Sequence, residues 1–202
     1  MCRSSRAYAR PIAVLSFAVC LWAPAQGRPA SDWTVETLMG LLKEHRHSSV
    51  PFEEATYSSL LTEPVTARGV LKFVPPARLE KIITAPAHER YVVEGDQVSF
   101  ESERKGVKQT VSLEDYPALR SFVEAFQATL TGDLTRLRSI YEVAMNGTRT
   151  HWTLLLRPRE SSGKAVVDYI LLTGSEGRVA TIAVRAPDGD RSVMTLRPGA
   201  AQ

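Results

Sequence analysis

Apolar and polar positions alternate with a period of two along most of this chain, and the period lengthens to that of a helix near its start and near its middle. Val35, Leu38, Met39 and Leu42 fall at i, i+3, i+4 and i+7, which predicts a helix that Ser31 or Asp32 caps. Lys43, His45 and Arg46 follow near its C-terminal end, where positive charge suits the helix dipole. Residues 52–61 read as a strand in which Glu53 and Glu54, being adjacent, point to opposite faces as solvent-facing or rim charges. In 68–86, Leu71 and Phe73 alternate with Val70 and Lys72 until Pro75 and Pro76, which cannot donate to a ladder, interrupt the strand. Alternation resumes with Leu79, Lys81 and Ile83 on one face and Arg78, Glu80, Ile82 and Thr84 on the other, closing at Pro86. This is a hairpin with a proline corner. Strands at 90–94, 98–103 and 107–113, joined by Gly95-Asp96 and Lys105-Gly106 turns, extend it into an antiparallel meander that hides one face.

The period then changes. Asp115 or Tyr116 starts a helix with Pro117 in its first turn, and Leu119, Phe122, Val123, Phe126 and Leu130 form its apolar stripe. Gly132 ends that helix, and Asp133 caps a short one carrying Leu134 and Leu137. Strands return at 141–145 and 150–157, with Asn146-Gly147 as the hairpin turn. A polar loop at 159–164 leads to strands at 166–173 and 178–185, joined by Ser175-Glu176-Gly177, and to a last strand at 192–196. The reading is about eleven strands and two or three helices: an α+β fold with helices on one side of an antiparallel sheet.

The first 25 residues stand apart from this pattern. Arg3, Arg6 and Arg10 precede an apolar run at 12–22, and Ala23-Pro24-Ala25 offers a small-x-small cleavage site. The expectation is a secretory signal cut after Ala25, with Gly27 as the alternative, leaving 26–202 as a single domain. A membrane span needs ~20 apolar residues, more than this run supplies. Cys20 does not read as a lipidated cysteine, because Val19 is bulkier than the residue wanted before it. Cleavage removes three of the 25 Lys and Arg, leaving 22 against 22 Asp and Glu. The mature chain is thus near neutral and lacks the basic footprint of a nucleic-acid binder. Cys2 and Cys20 also leave, so the mature chain has no disulfide, thiol nucleophile or cysteine ligand.

No nucleophile elbow, zinc-binding His pair, phosphate-cradling glycine loop or dinucleotide fingerprint occurs. His45 and His47 lie two apart on a helix end and do not share a face, which argues against a metal site. His88 falls in a loop and His151 on the polar side of a strand beside Trp152. A hydrolytic set drawn from Ser58, Ser59 and His88 has nothing to single it out. The expectation is no catalysis, no cofactor and no metal.

The wording of the proline hairpin adds to this. Gly69-x-Leu71-x-Phe73-x-x-Pro76, then Leu79-Glu80-Lys81, a closing Pro86 and a strand running into Glu94-Gly95-Asp96, resembles the LolA family, in its LolA-related branch. The resemblance in wording covers this hairpin, and the element order matches over most of the mature chain. It implies a curved, incompletely closed half-barrel whose mid-chain helices form a lid over a concave apolar face. It further implies a periplasmic, monomeric carrier of an acylated lipoprotein or lipid, loaded by an inner-membrane donor and unloaded to an outer-membrane acceptor. The alternative is a sensing or protein-interaction module of the same fold.

An acyl chain moved through water must be covered over most of its length, at about 0.8 kcal/mol per buried CH2. The residues expected to supply that cover are Leu71, Phe73, Leu79, Ile83, Tyr91 and Val93, with Phe100, Trp152 and Leu154 from the sheet and Phe122 and Phe126 from the lid. Ordinary core packing is the competing reading of each. Lys81 shares the Leu79/Ile83 face and meets either a head group there or water at the sheet edge. One position departs from the family: the Arg that precedes the hairpin Pro and latches the lid is replaced by Pro75. Arg78, three residues on, belongs to another part of the corner.

Overall fold

The computed structural model describes residues 33–44, 49–74 and 78–197. The export segment, Ser31 and Asp32, the His45-Arg46-His47 run and the Pro75-Pro76 corner lie outside the described residues. The first helix, α1 (Val35–Glu44), buries Leu38, Met39 and Leu42, and Thr34 caps it by accepting from the Thr37 N–H at 3.3 Å.

Eleven strands then build one antiparallel sheet. They are β1 (Val50–Tyr57), β2 (Val65–Val74), β3 (Arg78–Ala85), β4 (Glu89–Glu94), β5 (Gln97–Ser102) and β6 (Val107–Ser112), then β7 (Tyr141–Thr148), β8 (His151–Pro158), β9 (Tyr169–Ser175), β10 (Arg178–Arg185) and β11 (Arg191–Leu196). The strand order is β6-β5-β4-β3-β2-β1-β11-β10-β9-β8-β7, so β1 pairs with β11 at the centre while β6 and β7 remain unpaired edges. The chain lays down one half of the sheet, crosses over it with helices, and lays down the other half. The result is the α+β open half-barrel that the alternation and the resemblance imply.

Between β6 and β7 run a 3-10 turn (Leu113–Asp115), α2 (Pro117–Thr131) and α3 (Leu134–Ile140), and a one-turn helix, α4 (Ser161–Lys164), follows β8. Pro117 occupies the first turn of α2, where its missing N–H costs nothing. Gly132 ends α2 at φ 70, the left-handed conformation that favours glycine. A side chain at Gly132 would also press on the Met39 carbonyl, 2.6 Å from an added Cβ, so α1 and the end of α2 meet through this glycine. Asp133 accepts from the Arg136 N–H at 2.9 Å and caps α3.

Several boundaries differ from the sequence reading. β9 begins at Tyr169 rather than at 166, because the Val166 and Val167 N–H groups bond the Gly163 carbonyl. β1 ends at Tyr57 rather than at 61, because the Leu61 N–H turns back onto the Ser58 carbonyl and the Ser59 N–H is taken by Asp190. The loop at 159–164 closes as α4, its Lys164 N–H bonding the Glu160 carbonyl. Asn146-Gly147 is not the hairpin turn. The β7–β8 ladder runs on to Thr148↔His151, and the chain reverses at Arg149-Thr150. Trp152 lies in the extended part of this ladder. Its register partners are Gly147 on one side and Gly174 on the other, and a Cβ at Gly174 would strike the indole. Gly174 makes the room for the buried indole, whose Nε1 donates to the Glu176 carbonyl at 2.8 Å, whereas a Cβ at Gly147 would meet the His151 carbonyl.

The apolar interior is split. A large cluster forms where α1, α2 and α3 pack on β7–β10, with Leu38, Leu137, Tyr141, Trp152, Leu154 and Leu156 all fully buried. A second, small one holds only Val93, Leu113 and Val123, with Leu79 and Val98 against it. Between the two lies space that the described side chains do not fill.

Candidate functional site

The unfilled space has two apolar compartments roofed by α2. The larger, about 260 Å3, lies over β1–β5, β10 and β11 and is lined by Leu71, Leu79, Ile83, Tyr91, Val93 and Val98 from the first half of the sheet. Ile182, Val184 and Met194 close it from the second half, and Leu119, Phe122, Val123 and Phe126 close it from above. The smaller, about 80 Å3, lies between Val50, Leu71, Phe73, Leu79 and Leu196 on one side and Leu156, Ile170, Leu172 and Ile182 on the other, with exposed Arg178 also in its lining. Leu71, Leu79, Phe126 and Ile182 line both compartments and divide them. Outside, a shallow apolar vestibule shares Leu119, Phe122 and Val184 with the larger compartment. Half-exposed Tyr116, Leu119 and Val166 line that mouth.

Why the sequence leaves a hollow here follows from where α2 rests. Its inner positions Ala125 and Ala128 are small and sit tightly on the large cluster. Phe122 and Phe126 are only partly buried against that cluster and also line the hollow, ring centroids 4.9 Å apart and tilted by 50°. Polar contacts tie the helix to its helical neighbours. Glu124 takes Arg120 at 3.2 Å within α2 and Arg136 of α3 at 2.7 Å. Toward β4, by contrast, α2 rests on apolar contacts through Val123. One side of the roof is bolted; the other only leans on the sheet.

Eight of the eleven residues expected at the apolar site line these compartments: Leu71, Phe73, Leu79, Ile83, Tyr91, Val93, Phe122 and Phe126. The other three lie elsewhere. Trp152 and Leu154 are fully buried in the packed cluster under the helices. Phe100 stacks on Tyr91 with centroids 4.8 Å apart, one strand nearer the sheet edge. The far wall, from Leu156 through Ile170, Leu172, Ile182 and Met194, was not picked out by the sequence reading, although each belongs to the same period-two alternation in β8–β11.

The compartment is not wholly apolar. Glu54 on β1 and Lys81 on β3 both face it, and their side chains meet at 2.5 Å across the intervening β2. Glu54 is therefore not a rim charge: register places it inward, with 15% of its side chain exposed, and Ser192 donates to its other oxygen at 2.6 Å. Glu53 does point outward, to Arg197 at 2.8 Å. The Lys81 side chain is 27% exposed, and its charge lies 5.4 Å over the Phe52 ring. Gly69 occupies β2 between Phe52 and Ile83 and puts no side chain in the way of this bridge. Nearby, the Tyr91 hydroxyl donates to Glu89 at 3.2 Å. Burial, then the Glu89 and Glu54 charges, push the Tyr91 phenol up to about 12, so it stays protonated.

Arg78 is committed to the other face. It donates to Glu80 at 2.7 Å and to Glu94 at 2.8 Å. Among the described residues no three His, Cys, Asp or Glu side chains converge to hold a metal, and no helix is long and apolar enough to cross a membrane. His88 pairs with Glu103 at 3.3 Å in its loop, and His151 is exposed.

Fold and hollow together define an open half-barrel with an apolar interior under a helical cover. The chain belongs to the family described as outer membrane lipoprotein carrier protein LolA-like, which matches residues 27–202. Comparison with curated proteins gives no match. Solved structures with a similar trace include a LolA superfamily protein from Nitrosomonas europaea, 14% identical over 82% of this chain and 92% of that one, with a TM-score of 0.44. A DUF1329 family protein from Desulfovibrio piger is 12% identical over 83% and 92%, with a TM-score of 0.45. MucB from Pseudomonas aeruginosa, solved in complex with MucA, is 14% identical over 83% of this chain and 58% of its own, with a TM-score of 0.38.

Proposed function

We propose that this protein is exported by its N-terminal segment and carries the acyl chains of a lipoprotein or lipid across the periplasm toward the outer membrane, sheltering them between the sheet and α2. The observation that carries this reading is the unfilled space of about 260 Å3 beneath a helix whose aromatic side chains line it. A fold that needed α2 only for stability gains by filling such a void, since dispersion contacts are lost across it. Here Phe122 and Phe126 roof the hollow instead.

The size of the compartment bears on how a carrier would work. It falls just short of the ~300–1,000 Å3 typical of pockets that enclose a drug-sized ligand. A long acyl chain therefore enters by pushing α2 off β4 and β5, where the contact is apolar and small, while the Glu124–Arg136 link keeps the helix attached to α3. Each methylene covered contributes about 0.8 kcal/mol, enough in sum to offset the lost Val123 contacts. Release reverses the motion when a partner offers the chain a better apolar surface. Without the family's Arg latch, closure on the β4 side rests, among the described residues, on these apolar contacts.

The experiment is native mass spectrometry of protein recovered from the periplasm of its own cells, followed by organic extraction. Carriage predicts a co-purifying acylated species that is lost in a folded Phe122→Asp variant. A clean ligand-free mass, together with no uptake of a fluorescent acyl probe, would point instead to a protein-interaction role for the same fold.

A further inference from the structure

We propose that the larger compartment selects acyl chains joined through an ester or amide over free fatty acids, and that the Lys81–Glu54 pair makes the choice. The inference rests on the carrier reading above and adds the chemistry of the head group to it.

Lys81 is the only cation among the described residues lining this compartment. An ammonium carries three protons. Among the described residues one of them goes to Glu54, and the charge otherwise faces the Phe52 ring, so Nζ has donors to spare inside the hollow. Its charge, however, is already matched. Glu54 sits 2.5 Å away and is itself held by Ser192 at 2.6 Å, which fixes the carboxylate in place on the floor. Glu89 adds a second carboxylate to the same face of the sheet, bonded by Tyr91 and Ser102 and matched by the Lys105 ammonium at 3.9 Å.

A free fatty acid would bring a third carboxylate into this setting. Like charges disfavour one another in a partly buried space, and both ammoniums there already have carboxylate partners, so the acid binds at a cost. An ester or amide carbonyl avoids that cost. It accepts a hydrogen bond from the remaining Lys81 protons and adds no charge. A plain hydrocarbon also avoids the cost but leaves those donors unmet. The pair thus ranks three chains of equal length: the ester first, with the acid and the alkane below it.

The test uses purified protein expressed from the full sequence and freed of lipid. Methyl palmitate, palmitate and hexadecane, each delivered from cyclodextrin at pH 8, compete against a neutral naphthylamine probe. Wild type is expected to bind methyl palmitate roughly tenfold or more tighter than the other two, the range for a hydrogen bond to a charged donor. Lys81→Met should lower methyl palmitate to the level of hexadecane and leave hexadecane unchanged. Glu54→Gln frees the Lys81 charge and should invert the preference, raising palmitate roughly tenfold. Near-UV circular dichroism checks that each variant is folded, and if Lys81→Met is not, the inversion in Glu54→Gln decides alone. Wild type binding palmitate as tightly as methyl palmitate overturns the inference, as does a Glu54→Gln protein with unchanged ranking. Failure of wild type to bind any of the three overturns the carrier reading itself and, with it, this one.

Discussion

Phe122 and Trp152 are both large aromatics on the inner side of this fold, but one roofs a hollow and the other is packed solid. Phe122 lines the larger compartment and its mouth, whereas Trp152 is 1% exposed beneath the helices. The two should separate stability from binding. Trp152→Ala is expected to cost about 3–5 kcal/mol, the range for a fully packed aromatic, and to leave acyl-probe affinity little changed in whatever fraction folds. Phe122→Ala should cost roughly 1–2 kcal/mol, because much of its surface faces space already unfilled, and should weaken the probe severalfold. Urea titration and probe binding on both variants check this; equal stability losses would mean the hollow is not there in solution.

The Lys81–Glu54 bridge spans two strand spacings and joins residues 27 apart in sequence. Partly buried pairs cost more when halved than when replaced whole, since a lone charge is left without its partner. Glu54→Leu and Lys81→Met singly are expected to lower stability by about 1–3 kcal/mol, discounted from a fully buried pair because both side chains retain some exposure. The double variant should recover at least half of the larger loss. Additive losses in a denaturation cycle would show that the two side chains do not interact in solution.

The same pair marks how far the sequence could be read. The alternation of β3 placed Leu79, Lys81 and Ile83 on one face, and they do share it, lining the larger compartment together. That Lys81 meets a carboxylate could not be read, because its partner lies on the far side of β2 and adjacent Glu53 and Glu54 look alike until register orients them. Leu71 and Leu154 illustrate a second limit. Both follow a period of two, and what separates a cavity wall from a packed floor is which helix rests above. Local turn chemistry misled at Asn146-Gly147, where the ladder continues through both residues and the chain reverses at Arg149-Thr150 instead. Helix ends were more legible, since Pro117, Gly132 and Asp133 act through their own backbone and side chain.

Gly69 sits where the β2–β3 register shifts, and a Cβ there would collide with the Ile82 carbonyl. Backbone, unlike a flexible side chain, cannot step aside. Gly69→Ala should therefore destabilise by at least about 2 kcal/mol despite the small size of the change. Gly40→Ala, on α1 with open space around it, is the matched control and should be neutral or stabilising. Thermal melts of the two variants distinguish a steric demand at Gly69 from a general cost of replacing glycine.

Glu80 gives the fold a dependence on acid. Only 7% exposed, it accepts from Arg78 at 2.7 Å and from Arg90 at 3.1 Å. Burial by itself would raise its carboxyl, but the two guanidiniums outweigh that and hold it below the usual carboxylate range. Below the unfolded value of about 4.3 the unfolded chain then binds more protons than the native one. The stabilisation from Glu80 is complete above that value and is lost as pH falls through the lower, native one. Glu80→Gln should thus cost roughly 1–3 kcal/mol at pH 7, the range for hydrogen bonds to charged groups, and progressively less below about pH 4.3. Glu94→Gln, which removes the exposed partner of Arg78, should change stability by less than about 1 kcal/mol at either pH. Urea midpoints at pH 7 and pH 3 provide the comparison; a Glu80→Gln penalty as large at pH 3 as at pH 7 would mean that the charge of Glu80 contributes nothing and that its effect is one of shape.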